Sequence, residues 1–164
     1  MPNADAKAPD RIARGRLAAA IVVAVVALDP GTKAWAVNRL DRGPISIIGS
    51  DVELRLSFNP GGAFGLFGAY TPLLAVVAAV MTVVLIRTVR HATDRLTVIS
   101  FALVLGGALG NLVDRVFRSP GFLTGRVVDF VNVGSFPTFN VADSAITVGA
   151  IALVITAFLP EREQ

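Results

Sequence analysis

Two carboxylates stand at the edge of a long apolar run: Asp129 in VVDF and Asp143 in NVADS, within VVDFVNVGSFPTFNVADSAITVGAIALVITAFL (Val127–Leu159). Two aspartates held close together do not both ionise easily. They share a proton, so one can act as base on a water while the other, still protonated, activates a carbonyl. That is the chemistry of an aspartic protease. A plainer reading stands beside it for Asp143. Asn140 and Asp143 have the N-cap/N3 spacing of a capping box, and a carboxylate suits the positive end of a helix. Asp129 has no such account: it interrupts Val127-Val128 and Phe130-Val131 and has no obvious partner nearby in sequence.

The other polar residues narrow the chemistry. The chain has no cysteine, which excludes disulfides, thiolate metal sites and a cysteine nucleophile. Its one histidine, His91, lies between the second and third apolar blocks, away from the aspartates. A Ser-His triad is excluded there, and zinc is disfavoured because carboxylates alone suit harder cations. No metal and no cofactor are expected. Asp29 and Lys33 have the acid-first i,i+4 spacing of a structural ion pair. Pro30 lies between them, so a kink there would spoil that geometry. For Asp114-Arg115 two readings are open: structural charge at a helix end, or an arginine that holds a peptide carbonyl.

The elements that must position these groups are membrane helices. The chain has 164 residues, 54% hydrophobic and only 16% charged, and the apolar residues come in blocks. The blocks are Leu17–Val37, Pro72–Val89, Leu96–Val116 and Val141–Leu159, each near the length needed to span a bilayer. Asp94 and Asn140 read as N-caps for the last two. The first block resembles a secretory signal peptide, but three more spans follow it and Asp29, Lys33 and Trp35 replace a small-residue cleavage site, so it reads as a retained helix. Gly106 and Gly110 form a GxxxG pair suited to close helix packing. The predicted fold is an all-α membrane protein of four transmembrane helices with a small β element on the outer face.

Segments taken as inner carry eight Lys and Arg against five in the outer ones, which predicts both termini inside. The predicted organisation is a cytoplasmic tail over 1–14, a single membrane domain over 15–160 with outer loops 38–71 and 117–140, and a second tail over 161–164. The polar first ten residues are expected to be disordered. In the first outer loop, VELRLSF (Val52–Phe58) alternates as a short strand and Gly61-Gly62 reads as a turn. This topology brings Asp29, Lys33, Asn59, Asn111, Asp114, Arg115, Asp129, Asn140 and Asp143 into one layer just below the outer surface. Ionisable groups inside a membrane usually face a cavity or one another.

Five segments then stand together: DPGTK (Asp29–Lys33), FNPGGAF (Phe58–Phe64), GGALGNLVDR (Gly106–Arg115), VVDF (Val127–Phe130) and FPTFNVADS (Phe136–Ser144). In this order the chain resembles the bacterial lipoprotein signal peptidases (signal peptidase II), over essentially residues 15–160. The resemblance implies a multi-pass aspartic endopeptidase of the bacterial cytoplasmic membrane with its active site near the outer leaflet. Its substrates would be prolipoproteins already carrying diacylglyceryl on the lipobox cysteine, cut just before that cysteine. Carried over by position, the catalytic pair is Asp129 and Asp143. Asn59, Asn111, Arg115 and Asn140 fall on substrate- and inhibitor-lining positions, and Asp29, Lys33 and Asp114 on positions retained for structure. The resemblance also implies inhibition by globomycin; membrane lipid is the other expected partner, and the chain is expected to be a monomer.

Two other classes fit the same acids. A small intramembrane transporter or proton-pathway protein would use them for ions, but such proteins commonly carry internal repeats and a midplane site, and this chain shows neither. A non-enzymatic scaffold would use the polar residues as interhelical glue and would tolerate Asp→Asn at 129 and 143. No stretch carries the basic face that nucleic-acid binding requires.

Overall fold

The computed structural model describes residues 8–61 and 71–158. Four helices and three strands alternate in the order α1 (Ala8–Leu40), β1 (Ile45–Ile48), β2 (Val52–Asn59), α2 (Thr71–Val89), α3 (Arg95–Phe117), β3 (Val127–Val133) and α4 (Val141–Phe158). Among the described residues, α2, α3 and α4 are long and apolar enough to cross a membrane. The last three helices start and stop within a residue or two of the apolar blocks. Asp94 caps α3 by accepting the Thr97 N–H at 2.8 Å, as its position before the block predicts.

The first helix differs from expectation. It is already under way at Ala8, where the polar first ten residues were expected to lack order, and residues 1–7 lie outside the described ones. Proline is tolerated in a first turn, where its missing N–H has no intrahelical partner, and the following Ala and Arg residues are good helix formers. The helix also continues through Pro30. Thr32 donates its hydroxyl to the carbonyls of Leu28 and Asp29, both at 2.9 Å, beside the point where the proline leaves the ladder short of a donor.

Helix α3 is the hub, packed against each of the other three. Small residues allow this. A methyl group added at Gly107 would collide with the Ala142 carbonyl of α4, and one at Gly110 would come within 2.7 Å of Asp29 Oδ2 on α1. Glycine at these two positions therefore brings the polar residues of three helices within reach of one another. Nearer the α3 N-terminus, Val98 and Ala102 pack with Ala18 of α1.

The strands form one antiparallel sheet in the order β1-β2-β3. Sequence alternation predicts β2 alone. β3 falls within the predicted outer loop 117–140; VVDFVNV lacks apolar–polar alternation because both of its faces are covered, and Val127, Val128, Asp129 and Phe130 are all buried. Phe130 packs on Ala36 and Leu40 at the end of α1, and its ring meets Trp35 edge-on at 6.5 Å. That contact seats the sheet on α1. After β3 the chain turns at Gly134, whose φ of +52° suits glycine. It then returns alongside β3, Phe139 exchanging backbone hydrogen bonds with Val131. Asn140 is thereby delivered next to Asp129.

Candidate active site

The two aspartates arrive from different elements, Asp129 from the middle of β3 and Asp143 from the first turn of α4. Both line one cavity of about 490 Å³, together with Asn59, Asn111 and Arg115. Its remaining wall is largely apolar, with Val127, Phe136, Phe139 and Val148. A few convergent polar groups in an otherwise apolar cleft is the usual character of a ligand site. Phe136 and Val148 are more than half exposed, so the cavity has a greasy rim.

Three asparagines hold the carboxylates. Asn140 donates through Nδ2 to Asp129 Oδ1 at 2.6 Å, and Asn59 donates through Nδ2 to Asp129 Oδ2 at 3.0 Å. Asn111 donates through Nδ2 to Asp143 Oδ1 at 2.8 Å. Asn59 is itself fixed, its Oδ1 accepting the Gly61 N–H at 3.0 Å; Gly62, the other half of the expected turn, lies outside the described residues. The expected capping box also forms. Asn140 Oδ1 accepts the Asp143 N–H at 2.9 Å, and Asp143 Oδ2 accepts the Asn140 N–H at 3.1 Å. Capping and a cavity-facing carboxylate are thus compatible at Asp143: each oxygen accepts one bond and retains lone-pair capacity.

Beneath the cavity lies a buried ionic cluster. Lys33 is fully buried and its Nζ reaches three acceptors: Asp29 Oδ2 at 2.6 Å, Asp114 Oδ2 at 3.0 Å and Asn111 Oδ1 at 3.1 Å. Asn111 Oδ1 accepts a hydrogen bond from the ammonium, while the two carboxylates meet it as ion pairs, Asp29 Oδ2 without hydrogen-bond geometry among the described residues. The Asp29–Lys33 pair keeps its i,i+4 geometry, so the proline between them does not disrupt it. Each aspartate also does a second job. Asp29 Oδ1 accepts the Ala142 N–H at 3.0 Å in the first turn of α4, and Asp114 Oδ2 accepts the Val128 N–H at 3.1 Å next to Asp129. Asp114 Oδ1 takes Arg118 Nε. The cluster therefore fixes both segments that carry the cavity's aspartates.

Arg115 is different. It is buried at the cavity wall, and among the described residues its Nη1 has no hydrogen-bond partner. A buried donor of this kind is costly unless something accepts from it.

Burial drives the Asp129 carboxyl up from the ordinary value to about 6, and the nearby charge of Asp143 pushes the same way. The bonds from Asn59 and Asn140 and the charge of Lys33 oppose this without cancelling it. Asp129 is thus suited to hold a proton under conditions where a free aspartate would not. Among the described residues no group of three or more His, Asp or Glu side chains could ligate a metal.

Of the nine polar residues singled out from sequence, Asn59, Asn111, Arg115, Asp129 and Asp143 line this cavity, Asp29, Lys33 and Asp114 meet in the cluster beneath it, and Asn140 lies buried behind Asp129. Sequence reasoning missed Thr147 and Ser144, which line the cavity from α4. They were legible as a polar stripe one turn beyond Asn140 and Asp143. It also missed the return segment through Phe139, for which no sequence signal exists.

The chain matches the family model described as signal peptidase (SPase) II over residues 21–159. Proteins described as lipoprotein signal peptidase share much of its sequence. One from Rhodococcus jostii is 48% identical over 82% of this chain and 69% of its own length. One from Streptomyces griseus is 44% identical over 87% of this chain and 74% of its own. One from Mycobacterium tuberculosis is 44% identical over 94% of this chain and 75% of its own. A solved bacterial membrane enzyme superposes with a TM-score of 0.75 at 26% identity, covering 90% of this chain and 94% of that one.

Proposed function

The chain belongs to the signal peptidase II family and is a peptidase of lipoprotein processing, and from that premise we propose that Asp129 and Asp143 are its aspartic dyad. The observation that carries this is the shared cavity: two aspartates from separate elements, each oriented by asparagine, facing one space. The substrate is a diacylglyceryl-modified prolipoprotein, cut at the bond before its lipidated cysteine. No cofactor takes part. The protein works as a monomer, and globomycin competes for the same cavity.

In this mechanism Asp129 holds the shared proton, in keeping with its raised value. Asp143 carries the charge, a role suited by the start of α4 and by the two N–H donors it accepts from. Asp143 takes a proton from water as the water oxygen attacks the scissile carbonyl carbon. Asp129 gives its proton to the carbonyl oxygen. The gem-diol intermediate then collapses: Asp143 gives its proton to the cysteine nitrogen as the C–N bond breaks, and one hydroxyl proton returns to Asp129, which restores the dyad. The spare guanidinium donors of Arg115 hold a substrate carbonyl and so satisfy Nη1. Asn59, Asn111 and Asn140, which match substrate-lining positions of the family, act mainly by aiming the carboxylates.

Placement in the membrane follows the same logic. We take α1 as a fourth span beside α2, α3 and α4, with both termini cytoplasmic and the sheet at the outer leaflet of the bacterial cytoplasmic membrane. Acyl chains on the cysteine stay in the bilayer, which fixes the scissile bond at the interface. The exposed Phe136 and Val148 let the cavity open sideways to lipid. Cleavage of a purified diacylglyceryl prolipoprotein, with and without globomycin, tests the reading; cleavage that globomycin leaves untouched would count against it.

A further inference from the structure

Strand alternation gives the β2–β3 pair two faces. Asn59, Val127 and Asp129 point to the cavity of the dyad, whereas Phe58, paired with Val128, lies on the opposite side. That side has its own cavity, of about 540 Å³, lined by Phe58, Phe117, Arg118, Ser119, Pro120 and Arg126. Its charged lining is cationic throughout, with two arginines and no carboxylate.

We propose that this second cavity binds the phosphate headgroup of an anionic phospholipid in the leaflet next to the sheet. Arg126 is exposed and, among the described residues, in no ion pair, so its charge is free for a ligand. Arg118 gives Nε to Asp114 and keeps its other guanidinium donors. Ser119 adds a hydroxyl, and the loop is braced by the Arg126 N–H on the Ser119 carbonyl at 3.1 Å. The carbonyl end of α3 would oppose an anion. Two of its carbonyls are already taken, Asp114 O by the Arg118 N–H and Arg115 O by the Gly125 N–H.

The surroundings favour a lipid over a free anion. Phe117, 81% exposed, ends an apolar helix long enough to span the bilayer, and Phe122, 74% exposed, lies in the loop that follows it. Aromatic rings at that depth sit at the membrane–water interface, where phosphate groups are found. Acyl chains can lie along the rings while the phosphate meets the arginines, as juxtamembrane basic residues attract anionic lipid.

The test is native mass spectrometry of the full chain released from equal mixtures of phosphatidylglycerol and phosphatidylcholine with matched acyl chains. The wild type should retain phosphatidylglycerol preferentially. Arg126→Gln should weaken that retention about five-fold, the value of one interfacial cation, and leave phosphatidylcholine retention alone. Arg126→Lys, which keeps the charge, should retain most of the preference. Equal retention of the two lipids by the wild type, or an unchanged preference in Arg126→Gln, would overturn the proposal. So would displacement of the phospholipid by excess inorganic phosphate, which would mark a free-anion site instead.

Discussion

Asn140 Nδ2 lies 2.6 Å from Asp129 Oδ1, while the same side chain caps the helix that carries Asp143. One amide therefore orients both members of the proposed dyad, its two ends serving different aspartates. The orientation of that amide is set by the network: Oδ1 faces a backbone N–H, so Nδ2 must face the carboxylate.

The raised Asp129 value predicts a stability signature. Its carboxyl titrates near 6 in the folded protein and near 3.8 when unfolded. The folded state thus binds more protons between those values, and stability falls as pH rises through the window. The ionisation cost is on the order of 2–3 kcal/mol. Asp129→Asn removes it, so relative to wild type the variant should gain stability from pH 4 to pH 8. Thermal unfolding in detergent at the two pH values checks this; a difference independent of pH would contradict it.

For Arg115, replacement by lysine keeps the charge but loses the planar fork. Turnover should fall while the melting temperature in detergent stays close to wild type, because among the described residues Nη1 makes no hydrogen bond to the fold. A collapse of stability would instead assign Arg115 to the scaffold.

Lys33 should behave in the opposite way. Lys33→Met leaves Asp29 and Asp114 buried beside each other without their shared cation. Breaking a buried ion pair on one side costs about 3–5 kcal/mol. Denaturation of the purified variant should show that loss along with reduced activity. Near-wild-type stability would mean the cluster is not the base on which the site rests.

Much of this site is legible in the sequence because its parts are local. The Asp29/Lys33 pair follows from a four-residue spacing, the Asn140/Asp143 box from a three-residue spacing, and β2 from strict alternation. The partners of Asp129 are not local. Asn59 comes from a different strand, and Asn140 reaches it only because the chain folds back at Gly134 and pairs through Phe139. Backbone pairing of that kind leaves no side-chain pattern to read. The double role of Asp29, which pairs with Lys33 and also caps α4, is hidden for the same reason.

Topology has its own test. The proposal that α1 is a fourth span, with the basic cluster before the first apolar block inside, puts both termini in the cytoplasm. Reporter fusions at residue 164 should be active only as cytoplasmic reporters. Activity confined to the outer face would overturn the arrangement and the depth assigned to the cavity.

The central claim is that Asp129 and Asp143 act as one unit, and turnover of a diacylglyceryl prolipoprotein by Asp129→Asn, Asp143→Asn and the double variant measures it. General acid–base catalysis contributes roughly 10²–10⁴-fold, and groups acting together are not additive. Each single variant should lose nearly all activity, and the double should be little worse. Asp143→Asn should remain folded, since asparagine still serves near a helix start. Retention of more than about a tenth of wild-type turnover by either single variant would contradict a dyad.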